Sequence, residues 1–186
     1  MPLSYASSDS RRGSTSLTFR LEHNSAEKLR DEAQKQGISL NSLVNQVIHN
    51  FFEWHMFEPK IGLVPIFKPV VKEVFMKISK EEIRQIAVTV GKDEFQNAVH
   101  FMKGRLDLNC FLDWLETRMK NSSIHVSRTF DSNSGTYTYI IKHDICENWS
   151  IYLKEVIETI FNDTFQKKVE ASASSTMLTF KFKEDD

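Results

Sequence analysis

Residues 16–22, SLTFRLE, alternate without a break. Leu17, Phe19 and Leu21 fall on one side, and Ser16, Thr18 and Arg20 on the other. A period of two predicts a strand with one buried face. The period then changes. Asn24, with Glu27 three positions on, reads as a capping box that opens a helix through SAEKLRDEAQKQ. Its inward positions are Ala26, Leu29, Ala33 and the stem of Lys28. Gly37 sits where a helix terminator belongs. Ser39 then caps a second helix, in which Leu40, Leu43, Val44, Val47, Ile48, Phe51 and Phe52 make one wide apolar stripe. One strand and two short helices cannot bury that stripe alone, so it requires a partner.

The order strand, helix, Gly-containing turn, helix over residues 16 to about 54 resembles the ribbon-helix-helix repressors, the class of Arc, MetJ and CopG. That resemblance implies a homodimer: an intermolecular two-stranded antiparallel ribbon plus four helices. Its core would be Leu17, Phe19, Leu21, Leu29, Leu43, Val44, Val47, Ile48 and Phe51. It further implies that Ser16, Thr18 and Arg20 read base edges in the major groove of double-stranded DNA, which is wide enough to admit a ribbon. Arg20 could donate two bonds to a guanine, a contact that discriminates by roughly 1–3 kcal/mol. Ser39, Leu40, Asn41 and Ser42 would meet a backbone phosphate at the second helix's N-terminus. Arg11 and Arg12 would add phosphate contacts from a flexible arm spanning 1–15.

The rest of the chain predicts an α+β fold in which the module at 16–58 is followed by a helical segment and a small α+β domain, 65–186 together. HMFEPKIGLV, with Pro59 and Gly62, reads as the connection. A helix is expected from Pro65 to about Ser79, with Ile66, Val70, Val74 and Ile78 inward. Ser79 and Glu82 form a second capping box for a helix to Val90, which Gly91 would end. Further helices are expected at 92–103, with Phe95, Val99 and Met102 inward and Gly104 as terminator, and at Leu108–Lys120. A hairpin follows, 124–130 and 136–145, turning at DSNSG. An amphipathic helix at 147–162 and strands at 165–171 and 177–182 complete the chain.

Composition narrows function. Net charge is -1, and residues 1–58 carry six basic against seven acidic side chains, so any DNA footprint is local. Two cysteines, no apolar leader and no apolar run of about 20 residues imply a cytoplasmic, nucleoid-associated protein without a membrane anchor. There is no phosphate loop, HExxH or GxSxG, hence no enzyme and no cofactor. His143, Asp144 and Cys146 are the densest ligand-type cluster, but without the repeated spacing of a metal site. The sequence therefore reads as a DNA-binding transcriptional regulator, a repressor for example. Its C-terminal domain would bind a small-molecule or protein effector, or pair dimers into higher order on DNA. The alternatives are an antitoxin or partition-type DNA-binding protein whose C-terminal domain grips a partner protein, and a signalling protein that uses the module only to dimerise.

Overall fold

The computed structural model describes residues 15–184, and its contacts divide the chain into two units, Met1–Val47 and Ile48–Asp186. The expected arm, with Arg11 and Arg12, lies outside the described residues except for its last position.

In the first unit, α1 spans His23–Lys35. It starts ahead of Asn24, so Asn24 falls inside the first turn; Glu22 takes the cap position and no side chain caps it. The expected capping box is therefore absent. Gly37 does end the helix, at φ +66°, a conformation that costs glycine little. Ser39 caps α2, Leu40–Asn50, by accepting the Ser42 N–H at 3.0 Å. Ala33 and Leu43 are buried. The division between the units falls within α2.

Residues 15–22 do not form the expected strand. Alternation marks a segment able to lie on a surface, but a strand exists only through ladder bonds to a neighbour. Every ladder described here lies within 125–183. Leu17, Phe19 and Leu21 are exposed, Leu17 at 70%.

After the last residues of α2, the second unit continues through a π-type turn, Phe51–His55, which buries Trp54, and a 3-10 turn, Glu58–Lys60. Helix α3 covers only Lys68–Lys77, shorter than expected. Pro65 lies in an irregular stretch ahead of the helix, and Pro69 occupies the first turn, where a missing N–H costs nothing. The Ser79–Glu82 box forms as the sequence predicts and opens α4, Lys80–Ile86. Gly91 does not end that helix. The chain passes through a π-type turn, Ala87–Gly91, straight into α5, Lys92–Lys103. Gly91 is there for closeness: a Cβ at this position would meet Tyr152 Oη at 2.7 Å and Val156 Cγ2 at 2.8 Å. Gly104 terminates α5 in the left-handed region, φ +74°. Asp107 caps α6, Leu108–Asn121, accepting the Cys110 N–H at 2.9 Å.

The strands are β1 (His125–Asp131), β2 (Thr136–Lys142), β3 (Glu170–Ala173) and β4 (Met177–Lys183), with α7 (Glu147–Asp163) between β2 and β3. They form one antiparallel sheet in the order β1-β2-β4-β3. The chain is thus α+β. Tyr139, Ile141, Leu178, Phe180 and Phe182 share the covered face with buried α6 and α7 side chains, among them Phe111, Leu115, Leu153, Ile157, Ile160 and Phe161. Register lines up aromatic rows across the strands. Phe130, Tyr137 and Phe182 are consecutive cross-strand partners, with ring centroids 4.5 and 5.3 Å apart. Tyr139 stacks on Phe180 at 4.8 Å and 6°.

Where β2 leads into α7, His143 is buried. Its Nδ1 accepts from the Ile145 N–H at 3.4 Å, which leaves Nε2 to donate to Ser150 Oγ at 2.8 Å. Burial pushes its pKa below the ordinary 6.5; Asp144 opposes that shift and Lys68 adds to it.

Gly91→Ala should cost about 1–3 kcal/mol in urea unfolding, the range for overpacking a tight contact. An unchanged midpoint would show that the Ala87–Gly91 turn and α7 can move apart there. Because the folded imidazole resists protonation, its contribution is complete above pH ~6.5 and fades as pH falls through that value toward the folded pKa. The urea midpoint should accordingly drop on acidification, and His143→Gln, which keeps a donor for Ser150, should flatten that drop.

Candidate functional site

Helix α3 carries apolar side chains on two sides. Val71 and Phe75 turn toward the body of the second unit. Phe75 packs edge-on against Trp149 at 5.0 Å and Tyr152 at 5.9 Å. Asn148 Nδ2 donates to the carbonyls of Phe75 and Ile78, both at 2.8 Å, and fixes the helix end. Lys68 ties the helix start to Asp144 at 2.9 Å and to the Ser123 carbonyl at 2.8 Å. Of the residues expected inward, Ile78 is half-buried, but the others face outward. Val70 and Val74 are each 51% exposed, and Phe67, just before the helix, is 84% exposed. Ile66 is exposed beside them. Both faces are apolar, and the aromatic one wins the interior because Phe75 finds two ring partners.

Pro69, Val70, Glu73, Val74 and Lys77 line a shallow groove of about 300 Å³ on that outer face. A helix apolar on opposite sides is normally covered on both, and a contiguous exposed apolar patch marks an interaction surface. Lys77, which lines it, makes no ion pair among the described residues.

A second concavity, about 600 Å³, lies between α6 and the start of β1. Asp113, Glu116, Thr117 and Lys120 form one wall, and Ile124, His125 and Val126 another. Lys103 at its edge is held by Glu53 at 2.8 Å. Glu116 Oε1 is buried without a hydrogen bond; its nearest cation, Arg128 Nη1, is 3.6 Å away. Also on α6, Arg118 lies over the rings of Phe95 and Trp114, at 4.8 and 5.4 Å. Burial pushes its pKa down, yet the charge persists at any physiological pH.

In the first unit, Ser16, Thr18 and Arg20 are exposed on the irregular segment ahead of α1. Ser39, Leu40, Asn41 and Ser42 are exposed at the start of α2, where the two serine hydroxyls bond each other at 2.8 Å. Of the residues expected to form a dimer core, Leu43 is buried, Leu29 and Val44 are half-buried, and Leu17, Phe19, Leu21, Val47, Ile48 and Phe51 are exposed. His143, Asp144 and Cys146 do not converge: His143 serves Ser150 and Asp144 serves Lys68. Among the described residues no group of three or more ligand-type side chains is placed to hold a metal ion, and no helix is long and apolar enough to cross a membrane.

Residues 7–48 match the model of the HicB family. The match covers less than a quarter of the chain. No curated protein and no solved structure matches. HicB is not the Arc, MetJ and CopG class. With no strand over 16–22, the ribbon-helix-helix resemblance is corrected on both counts.

The sequence missed α3's outer face because Val70–Val74 and Val71–Phe75 both satisfy helical spacing. The signal that separates them is the aromatic at 75. Val70→Ala and Val74→Ala should therefore change unfolding free energy by less than about 0.5 kcal/mol. Phe75→Ala should cost about 2 kcal/mol or more. Equal losses at all three positions would show that the outer valines are covered within the folded chain.

Proposed function

We propose that this chain is an antitoxin-type protein whose second unit holds a toxin partner through the outer face of α3, and whose first unit contacts DNA. The observation that carries this reading is the match of residues 7–48 to HicB, a family of antitoxins. The unpartnered face of α3 supports it. Phe67, Val70 and Val74 are bulky, adjacent and exposed, and they flank a groove. That is the form of a surface built for another protein's apolar side chains.

The DNA-contacting half rests on chemistry at 16–42. Arg20 is exposed and makes no ion pair among the described residues. The first turn of α2 presents amides that its helix does not use, and such amides suit a phosphate oxygen. Cations are few there, so affinity would come from few phosphates and depend weakly on salt. A regulator working without a protein partner is the weaker reading, because it leaves the α3 face without a role.

The test is co-expression of this chain with the products of its flanking reading frames. One product should arrest growth alone and be neutralised by this chain. Val70→Asp with Val74→Asp should abolish neutralisation while leaving thermal stability intact. Arg20→Ala should weaken DNA retention in a gel shift by about tenfold, the value of one good bidentate contact, and leave neutralisation unchanged. If no flanking product is toxic, or if the α3 variant neutralises fully, the reading fails.

A further inference from the structure

The outer edge of β1 is long, regular and lightly defended. No described strand pairs with it. All seven residues, His125–Asp131, pair one-to-one with β2 on the other side, without a bulge. It has no proline, lysine or twist-inducing bulge; its edge protection is limited to Arg128 on the covered side and Asp131 at its end. The opposite edge, β3, is only four residues long and begins with Glu170.

The sequence of β1, HVSRTFD, is complementary to its own reverse. Pairing two copies antiparallel about Arg128 sets His125 opposite Asp131, Val126 opposite Phe130, and Ser127 opposite Thr129, each twice. Every pair joins residues of the same sheet face: Val126, Arg128 and Phe130 share the covered side, and the others the open side. Apolar meets apolar, hydroxyl meets hydroxyl, and a carboxylate meets an imidazole. An isologous interface requires this kind of self-match.

Two further observations agree. The aromatic row Phe182–Tyr137–Phe130 ends at the edge, with Phe130 46% exposed. The residue a second copy would place opposite Phe130 is Val126, which lines the 600 Å³ cleft. The exposed ring and the open cleft thus lie at matching positions. The cost is Arg128 meeting its own copy at the two-fold axis, since like charges directly opposite repel. Glu116 beneath each strand offsets it, with a buried oxygen that has no hydrogen bond.

We propose that the β1 edge is a homodimer interface, joining two copies antiparallel about Arg128 into one eight-stranded sheet. The claim does not depend on the antitoxin reading. Its test is sedimentation velocity of the full chain across a concentration series. The wild type should pass from monomer to dimer. Ser127→Lys with Thr129→Lys puts like charges opposite each other twice and should weaken association about tenfold or more. Ser127→Lys with Thr129→Glu puts opposite charges there and should restore it; this holds the claim to account even if the double-lysine chain folds poorly. A monomer at every concentration would overturn the proposal, as would a dimer indifferent to both pairs of substitutions.

Discussion

Phe161 is where the second unit is tied together. From α7 its ring meets Phe180 and Phe182 on β4 at 6.0 and 5.1 Å, Phe165 beyond its own helix at 5.9 Å, and Phe111 on α6 at 6.4 Å. A helix crossing a sheet is fixed by such contacts more than by its own propensity. Once α7 is seated, the rest follows. Its outer turns offer Trp149 and Tyr152 to Phe75, which orients α3. Its middle accepts Gly91, which brings the start of α5 against it. Its start carries Ser150, which receives the buried His143.

The two surfaces of interest are consequences of that seating. Phe75, with Val71, takes the inner side of α3, so Val70 and Val74 are turned outward. The sheet places its short strand at one edge and β1 at the other, so the longer edge has no outer ladder among the described residues. Neither feature stabilises the folded chain by itself: exposed valines forgo apolar burial and an open edge forgoes strand pairing. Features of that kind are retained where a partner uses them. The two are separate in kind, one an apolar helix face suited to another protein, the other a backbone edge suited to an identical strand.

Much of the second unit was legible in the sequence. The Ser79–Glu82 box, Gly104, and the apolar spacing of Phe111, Leu112, Leu115 and Met119 are local signals that tertiary context did not override. The hairpin and the long helix after it were legible for the same reason. Failures came where the deciding term was not local. Alternation at 16–22 cannot supply a neighbouring strand. Gly91 reads as a stop when only the terminator role of glycine is considered, but its use here is contact with a residue sixty positions away. The strand expected from Phe165 begins only at Glu170. Phe165 is drawn into the cluster around Phe161, and Gln166 turns the chain at φ +54°. Of the candidate site, Ser39 and its cap were legible, while the outer face of α3 was not, because two apolar pairs competed for one interior.

The account turns on what α3 does when a partner is present. Hydrogen exchange of the full chain, alone and co-purified with a toxic flanking-frame product, measures this segment by segment. Exchange should slow across Phe67–Lys77 in the complex, with the core of α7 unchanged. Protection confined to residues 16–50, with α3 exchanging as in the free chain, would contradict it.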